Sequence, residues 1–389
     1  MSQTVERARS RRRSRPRWRF LLVVLTALTL LFGLPWWTLV VSPGWPAPVL
    51  VVGTGLFACA AAAFPWLMYL GHGRNGRDGA ARTGDTLLGV MWVLFAWSLL
   101  GTVARGVLGL FGVGGLGRIV ALAVLAVATV LVAWGAFEAM RVPRTRTVEV
   151  RIPRLGPGLD GTRVVVLADT HFGPIDRTRW STGLAAAVNR LGPDIVAHAG
   201  DIADGTVARR RSQAAPLGAI DAPLGKVFVT GNHEYYGEAL TWIDHLTELG
   251  WQHLHNRHVV VERGGDRLVL AGVDDATALG SGLPGHGADL PAALAGAEDG
   301  LPVLLVAHQP RQVDAARAAG VDLQVSGHTH GGQIWPFHYL VRVDQPSVQG
   351  LSRHGERTQL YTSRGAGFWG PPLRVFAPSE ISLLILRAG

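Results

Sequence analysis

The stretch "LQVSGHTHGGQIWP", Leu323 to Pro336, decides how the second half of this chain folds. A short apolar run ends in Ser-Gly, and two histidines, His328 and His330, follow with one residue between them. A continuous apolar run of this length, bounded by glycine, predicts a buried strand. Polar residues placed just past such a strand lie where α/β proteins gather their ligands.

The same arrangement recurs along residues 163–332. The segments that show it read RVVVLADTHFGP, DIVAHAGDIADG, KVFVTGNHEYYG, DRLVLAGVDD, PVLLVAHQP and DLQVSGHTHGG. Helical segments such as Trp180–Leu191, Ala239–Leu249 and Val313–Ala319 lie between several of them. Strands that alternate with helices predict an α/β domain whose polar strand ends meet at one edge of the sheet.

Residues with metal-binding side chains lie at these strand ends. They are two carboxylates, one amide and several imidazoles, with no thiol: Asp169, His171, Asp201, Asn232, His233, His308, His328 and His330. Oxygen and imidazole donors of this kind suit manganese, iron or zinc. In D-x-H and H-x-H, side chains two residues apart leave an extended backbone on the same side, so each pair is expected to face one point. Each motif alone is more often a turn or a packed pair, but together they favour metal ligation.

Residues 1–140 have a different composition. They carry 13 Arg and 4 acidic residues, whereas residues 141–389 hold 24 basic and 24 acidic residues, so the net charge of +9 arises in the first part. Four apolar runs there are long enough to span a membrane as helices, at about 20–41, 48–70, 86–103 and 119–140. The first run is too long for a cleaved secretory signal and lacks a small-x-small cleavage site. We therefore expect a multi-pass membrane region at 20–140.

Arginine is distributed unevenly among the segments that connect these runs. Eight Arg lie within residues 7–19, three within 71–85, two within 104–118 and five within 141–154. By the positive-inside rule, the Arg-rich N-terminus at 1–19 and the soluble half are both predicted to be cytoplasmic. No charged residue sits in the middle of a run, which argues against a transporter and favours anchoring in the lipid bilayer.

Three other kinds of site are disfavoured. The stretch "GVGGLG", Gly112–Gly117, matches a dinucleotide-binding pattern, but it joins two predicted spans and is expected to be a glycine-rich hairpin. The single cysteine, Cys59, excludes an intrachain disulfide and thiolate metal sites. The formally neutral soluble half argues against nucleic-acid binding, which depends on positive charge.

The ordered strand-end motifs resemble those of the calcineurin-like metallophosphoesterases. That family's order is D-x-H, G-D-x-x-D, G-N-H-D/E, a lone His after a strand and G-H-x-H, which here read DTH, GDIAD, GNHE, VAH and GHTH. The resemblance covers about residues 145–389, and "SGHTHGGQ" and the C-terminal stretch are more narrowly similar to membrane-linked bacterial phosphoesterases. It implies a double β-sheet sandwich flanked by helices at 161–389, after a linker and first strand at 141–160.

The resemblance also implies a role for each motif residue. One metal ion would be held by Asp169, His171, Asp201 and His330. The second would be held by Asp201, Asn232, His308 and His328, so Asp201 would bridge the two. His233 would face the leaving group, oriented by Asp204. Two such ions can clamp a phosphate and lower the pKa of a bound water from about 16 toward 7, and a histidine acid adds roughly 10²–10⁴-fold.

The expected function is that of a membrane-anchored phosphoesterase with two divalent ions, Mn, Fe or Zn, that cleaves a phosphodiester by attack of a metal-activated hydroxide. A lipid-linked ester is one expected substrate class. Two alternatives stay open: a tethered phosphodiesterase for a soluble nucleotide, and a catalytically silent membrane scaffold or sensor that keeps its metals.

Other residues have weaker interpretations. Arg364 and Arg374 are candidate phosphate contacts. Aromatic residues near the motifs are expected either in the core or as a wall for an apolar substrate or the bilayer: Trp335, Phe337, Tyr339, Phe368 and Trp369. His253, His255 and His258 invite a metal interpretation but are expected on a solvated strand or turn. Asp274 and Asp275 follow a strand and could line the cleft, but a turn is expected. Glu234 is expected to support the metal ligands from behind.

Overall fold

The computed structural model describes residues 17–73 and 76–389, and its contacts divide the chain into two compact units. Of the described residues, 17–63 and Leu94–Val127 form one unit, and Phe64–Val93 and Ala128–Gly389 form the other. Residues 1–16 of the predicted Arg-rich segment, and Arg74 of the second loop, lie outside the described residues.

Four long helices carry the apolar runs: α1 at Arg17–Trp36, continued by a π-helical turn at Trp37–Val41, α2 at Ala47–His72, α3 at Asp78–Leu110 and α4 at Gly117–Met140. Each is long and apolar enough to cross a membrane, with a mean hydropathy of 1.9 to 2.5 over its best window. The "GVGGLG" stretch lies in the turn between α3 and α4 and at the start of α4, as a glycine-rich hairpin requires.

Hydrogen bonds and close glycine contacts hold the first unit together. Trp36 Nε1 donates to Thr54 Oγ1 at 3.1 Å, and the Thr38 and Thr102 hydroxyls lie 3.0 Å apart. A Cβ on Gly101 would lie 2.8 Å from Val120 Cγ1, so α3 and α4 approach closely there. Small residues and hydroxyls at such contacts are typical of helices that pack within a membrane.

The first two turns of α3 are polar and pack within the second unit. Arg210 Nη1 donates to Asp78 Oδ2 at 2.8 Å. Asp85 is 4% exposed and accepts a hydrogen bond from His72 Nε2 at 2.9 Å. The helix therefore begins at Asp78 rather than at the apolar run near residue 86, because its polar turns find partners that an apolar pattern does not reveal.

A buried carboxylate connects the end of α4 to the strand that follows. Glu138 is 1% exposed and accepts from Arg144 Nη2 at 3.2 Å, and Arg141 Nη1 lies 3.6 Å from it. The first strand begins at Arg144, directly after α4 ends at Met140. Buried charges in proteins are normally paired in this way, so this junction is a fixed part of the fold.

Two six-stranded mixed sheets make up most of the second unit. The first sheet runs in the order β1-β12-β2-β3-β4-β5 and the second in the order β10-β11-β9-β8-β7-β6. The strands are β1 Arg144–Ile152, β2 Arg163–Leu167, β3 Ile195–His198, β4 Gly225–Phe228, β5 Gln252–His253, β6 Arg257–Arg263, β7 Asp266–Gly272, β8 Val303–Val306, β9 Leu323–Ser326, β10 Gly350–His354, β11 Thr358–Thr362 and β12 Glu380–Ala388.

Seven shorter helices accompany these sheets: α5 Thr178–Arg190, α6 Val207–Ala214, α7 Asn232–Tyr236, α8 Ala239–Glu248, α9 Leu290–Leu294, α10 Val313–Ala318 and α11 His338–Asp344. One apolar cluster combines residues of both sheets, and two others join a sheet to helices. The predicted double sheet flanked by helices and preceded by four long apolar helices is confirmed.

The run Val164–Leu167 in β2 shows how the sequence produces this layering. Val164 and Val166 join the core between the sheets, whereas Val165 and Leu167 pack against the helices outside, and all four are fully buried. A strand covered on both faces reads as a continuous apolar run because alternate side chains enter different cores. Each such burial contributes about 1.5–3 kcal/mol.

The segment after Trp369 packs directly on α3, which generates a stability prediction. A Cβ on Gly89 would lie 2.8 Å from both Pro371 Cβ and Leu373 Cδ1, whereas a Cβ on Gly55 of α2 would meet nothing within 4 Å. Gly89→Leu is expected to lower the free energy of unfolding by about 1–3 kcal/mol through overpacking, and Gly55→Leu to change it by less than about 0.5 kcal/mol. Thermal unfolding in detergent measures both; equal melting temperatures would contradict this packing.

Candidate metal centre

The motif residues lie in the five segments that follow β2, β3, β4, β8 and β9, and Asn232 and His233 begin α7 in the third of them. β2, β3 and β4 are neighbouring parallel strands of one sheet, and β8 and β9 are neighbouring parallel strands of the other. Because the carboxyl ends of parallel strands lie at the same edge, each sheet presents its loops together. The distances between donor atoms from the two sheets show that the two sets of segments meet.

One group of donor atoms comes from Asp169, His171 and His330, whose ligand atoms all lie within 4.8 Å of one another. His171 Nε2 lies 3.1 Å from His330 Nε2, and His330 Nε2 lies 3.7 Å from Asp169 Oδ1. Asp201 Oδ2 is 3.6 Å from His171 Nε2. Four of the predicted ligands therefore surround one point.

A second group comes from Asp201, His308 and His328, again with all donor atoms within 4.8 Å. His308 Nε2 lies 3.2 Å from Asp201 Oδ2, 3.1 Å from Asn232 Oδ1 and 3.2 Å from His328 Nδ1. Asp201 Oδ2 thus contacts both groups. The structure brings all seven sequence-predicted ligands together.

The hydrogen bonds behind two of the imidazoles fix which nitrogen faces the cluster. His171 Nδ1 donates to Asp204 Oδ1 at 3.0 Å, and His308 Nδ1 donates to the Ala199 carbonyl at 2.7 Å. Each leaves the Nε2 lone pair directed at the other donors, which is how metal-binding histidines are oriented. Nitrogens 3.1–3.2 Å apart match the roughly 3.3 Å between neighbouring ligands of a tetrahedral ion. The residues therefore fit a pair of divalent cations.

Burial and neighbouring charges shift the pKa values of Asp169, His308 and His328. Burial, reinforced by the Asp201 carboxylate, raises the pKa of Asp169 to about 6. Burial alone would lower the pKa of His308, but the Asp201 carboxylate outweighs burial and raises it to about 10. Burial lowers the pKa of His328 to about 4. Carboxylates buried among imidazoles favour nearby positive charge, which a divalent ion would supply.

His233 and Asp204 form a pair at the rim of the cluster. His233 Nδ1 donates to Asp204 Oδ1 at 2.6 Å, and its Nε2 lies 4.0 Å from Asp201 Oδ2. Burial lowers the pKa of His233, but the charges of Asp201 and Asp204 outweigh burial and raise it to about 9. His233 also lies within 4.8 Å of the His171 and Asp201 donors. Because His171 makes the same bond to Asp204, the non-ligand role of His233 stays a prediction from the family resemblance.

The backbone at the cluster differs from the sequence expectation. Five of the predicted ligands have a left-handed backbone: Asp169 (φ 54°), His171 (φ 42°), Asp201 (φ 53°), His328 (φ 70°) and His330 (φ 52°). The expectation that D-x-H and H-x-H lie on extended backbone is therefore wrong. Such conformations cost on the order of 1–3 kcal/mol each and persist only where the surroundings impose them.

Glu234 and Gly231 impose part of this geometry. The Glu234 carboxylate accepts from the backbone N–H groups of Asp201 at 3.1 Å, Ile202 at 2.8 Å and Gly231 at 2.7 Å. A Cβ on Gly231 would lie 2.1 Å from Asp201 Oδ1, so only glycine lets the two loops approach. Glu234 lies behind the ligands, as the sequence suggests.

Arg374 is not placed to contact a phosphate, whereas the phosphate contact expected of Arg364 stays a prediction. Arg374 is fully buried and donates to the carbonyls of His330 at 3.1 Å, Ala377 at 2.9 Å and Gly367 at 2.8 Å. Arg364 Nε donates to Glu380 at 2.7 Å. A guanidinium bound to backbone carbonyls braces the loop that carries His330, so Arg374 positions a metal ligand.

A cavity of about 660 Å³ opens beside His171, Asp204 and His233. Part of its wall comes from the ends of α2 and α3, which include His72, Arg82 and Asp85. Two exposed aromatic rings flank His233: the Tyr236 ring lies 5.2 Å and the Trp369 ring 6.0 Å from the His233 ring.

Sequence reasoning missed the contribution of α2 and α3 to this cavity. The available signals were weak: His72 is the one histidine before residue 141, and Asp85 directly precedes an apolar run. Of the aromatic candidates, Phe368 is buried and Trp369 half exposed at the cavity, whereas Phe337 packs on Trp92 of α3.

The sequence of this chain matches those of known proteins. A sequence model of the calcineurin-like phosphoesterases matches residues 162–332. A "transmembrane protein with metallophosphoesterase domain" from Danio rerio is 38% identical over 263 residues, which are 66% of this chain and 60% of that protein. An "uncharacterized metallophosphoesterase" from Aquifex aeolicus is 30% identical over 230 residues, which are 58% of this chain and 86% of that protein.

The extent of these matches differs from one relative to another. The chain spans about three-fifths of the length of the Danio rerio protein and of a Bos taurus protein with the same name, which is 40% identical. A solved dimetal phosphatase from Danio rerio gives a TM-score of 0.32 at 15% identity, over 53% of this chain and 88% of that one. The family match at the motif loops, and a 30% identical relative of which this chain covers 86%, lead to one assignment: the chain belongs to the calcineurin-like metallophosphoesterases.

Proposed function

We propose that this protein is a membrane-bound phosphodiesterase that uses two divalent cations, from Mn, Fe and Zn, to hydrolyse a lipid-linked phosphodiester. The observation that carries the proposal is the convergence of seven donor side chains on two points that share Asp201 Oδ2. The lipid-linked substrate is supported by a cavity that the ends of two apolar helices help to form.

The seven donors divide between the two cations as the distances suggest. Asp169, His171, Asp201 and His330 would hold one, and Asp201, Asn232, His308 and His328 the other. When bound, a pair of divalent ions lowers the pKa of a water and neutralises the charge of a phosphate during in-line displacement. Asp201, Glu234 and Arg374 set the spacing of the ligands before substrate arrives.

His233 is proposed as the general acid for the leaving oxygen. Its Nδ1 is fixed by Asp204, and the ring borders the cavity. The Asp204 carboxylate favours the protonated ring, and it holds the ring in orientation while that proton is donated. The departing group would then lie in the cavity between Tyr236 and Trp369.

The part of the cavity wall that α2 and α3 form is proposed to select the departing group. It carries cationic or hydrogen-bonding side chains, His72 and Arg82, on helices that qualify as membrane spans. Both residues lie beyond the apolar runs, at the ends of these helices, and Asp85 is 4% exposed beside His72. A polar headgroup attached to a lipid would reach this wall without leaving the membrane surface.

Exposed apolar residues support a position of the active site against the bilayer. Tyr339, Leu340 and Val343 of α11 are all exposed, and α11 follows Phe337, whose ring packs 5.7 Å from Trp92 of α3. Phe376 is also exposed and lies 5.9 Å from Trp134 of α4. Exposed apolar patches of this kind mark interaction sites, and tryptophans are enriched where helices meet the membrane interface.

The role of His233 is tested by leaving-group dependence. His233→Ala is expected to keep its metal content but to lose roughly 10²–10⁴-fold in turnover of an alkyl phosphodiester, because the alkoxide leaves without a proton. An aryl phosphodiester, whose leaving group needs little protonation, should lose far less. His354→Ala, at a histidine outside the cluster, serves as the control. Equal losses on both esters would reject general-acid catalysis.

The lipid-linked substrate is tested by changing the part of the cavity wall that α2 and α3 form. Arg82→Gln is expected to lower kcat/KM about threefold to tenfold on lipid phosphodiesters in vesicles, because one charged contact is worth about 0.7–1.4 kcal/mol. The same variant should leave a small aryl phosphodiester unchanged, since a short leaving group does not reach the wall. Arg105→Gln, on α3 away from the cavity, is the control.

The alternatives predict different results in the same assay. Efficient cleavage of soluble nucleotide diesters, with Arg82→Gln without effect on lipid esters, would favour a tethered nucleotide phosphodiesterase. Bound metal without hydrolysis of any ester in the panel would favour a scaffold or sensor.

The catalytic domain is proposed to face the cytoplasm, because arginine is concentrated in the segments on its side of the helices. The test uses Gly112, in the α3–α4 turn, and Gly296, after α9; both have φ of +79° and nothing within 4 Å of an added Cβ. In a Cys59→Ser background and right-side-out vesicles, an impermeant maleimide is expected to label Gly112→Cys directly. Gly296→Cys should react only after permeabilisation. The reverse pattern would place the active site outside the cell.

A further inference from the structure

A second cluster of metal-binding side chains lies near the ends of β5 and β7 and shares no residue with the seven donors described above. Donor atoms of His255, Asp274 and His286 all lie within 4.8 Å of one another. We propose that these three side chains bind a further divalent cation, zinc, as a structural site. From the sequence alone, His255 and Asp274 are expected in turns or a solvated strand, and neither lies close to His286 along the chain.

The geometry suits a zinc ion with three protein ligands. His255 Nδ1 lies 2.7 Å from Asp274 Oδ1, and His286 Nδ1 lies 3.3 Å from Asp274 Oδ2. The two imidazole rings have centroids 4.6 Å apart and face the same carboxylate. The His286 contact matches the roughly 3.3 Å between neighbouring ligands of a tetrahedral zinc, whereas the His255 contact has the length of a hydrogen bond and must lengthen when an ion binds. Two imidazoles and a carboxylate, with water in the fourth position, are an established zinc ligand set.

The burial of the carboxylate calls for a positive partner. Asp274 is fully buried, and its Oδ2 also accepts the backbone N–H of Gly287 at 3.0 Å, which fixes its orientation. Buried carboxylates are normally paired with a cation or bound to a metal. Beside the cluster, the ring of His253 stacks 5.7 Å from that of His255, and its buried Nε2 has no hydrogen-bond partner among the described residues. An unpaired buried nitrogen of this kind is a sign of an ion or water.

The three ligands would fasten a long loop to the sheet. The connection from β7 to α9 covers residues 273–289 and contains one short 3-10 turn at Ala278–Ser281. Loops of this length inside a compact domain are uncommon without a function or an anchor. Asn256 already holds Gly287 through a hydrogen bond of 2.7 Å to its carbonyl. Zinc bound to His286 would add a second anchor at the same point.

The proposed zinc site also borders the helix that carries His233. The hydroxyl of Tyr235, which follows His233 in α7, lies 3.0 Å from His286 Nδ1 and 3.0 Å from Thr230 Oγ1. An ion bound at His286 Nδ1 would take the place of its contact with Tyr235, whose hydroxyl would keep its bond to Thr230. The proposed zinc site is independent of the substrate and of the proposed phosphodiesterase activity.

Metal counting tests the proposal. The full-length protein in detergent is saturated with zinc, freed of excess by gel filtration, and its zinc content per chain is measured by inductively coupled plasma mass spectrometry. The wild type is expected to keep three ions, and His255→Ala and His286→Ala two each. His258→Ala is the matched control, because His258 lies on the adjacent β6 and its Nδ1 donates to the Ala293 carbonyl at 2.8 Å. This variant should keep three zinc ions.

A wild-type count of two, or an unchanged count in both His255→Ala and His286→Ala, would overturn the site and leave an ordinary buried ion pair. If these variants fail to fold, anomalous diffraction from wild-type crystals at the zinc edge decides the question. A peak among His255, Asp274 and His286 is expected, and a map without that peak rejects the proposal.

Discussion

The Asp201 carboxylate is the point on which the site depends. Its Oδ2 atom lies within 3.2 Å of His308 Nε2 and 3.6 Å of His171 Nε2, which come from different sheets. Like charges and buried imidazoles do not gather in this way without compensation. The fold meets that requirement from behind, through Glu234 on the backbone of the Asp201 loop and through Gly231, which leaves room for the carboxylate. These contacts impose the left-handed backbone of the ligands despite its energetic cost, and they fix the arrangement of the donors.

The apolar helices α3 and α4 contact the segment that braces the metal ligands. Arg374 joins the His330 carbonyl to a segment whose backbone N–H bonds to Gly135 of α4, and Gly89 of α3 lets that segment approach. Asp85 and His72 complete the cavity wall, and Glu138 pins α4 to β1. A domain held at so many points is positioned by the helices as well as anchored by them. Changes at residues 78–93 of α3 or 128–140 of α4 are therefore changes to the surroundings of the metal ligands.

The sequence was sufficient for the parts of this structure that repeat a local pattern. Apolar runs ending in polar residues predicted the strands, and their order predicted which side chains meet, because parallel strands share an edge. Contacts between distant segments left no such trace. The approach of His72 and Asp85 to His233, the bracing role of Arg374 and the meeting of His255 with His286 all depend on packing across the fold. The backbone of Asp169 and His330 was also misjudged, since a two-residue spacing indicates a shared face only on an extended chain, and these residues have positive φ.

The central claim, that one carboxylate joins two cation sites, is tested most directly by comparing the metal content of Asp201→Ala with that of Asp204→Ala. Both variants remove a carboxylate that contacts His171, but only Asp201 reaches both donor groups. The account predicts that Asp201→Ala loses two divalent ions per chain relative to the wild type, whereas Asp204→Ala retains them. An Asp201→Ala protein with the wild-type metal content would contradict the account.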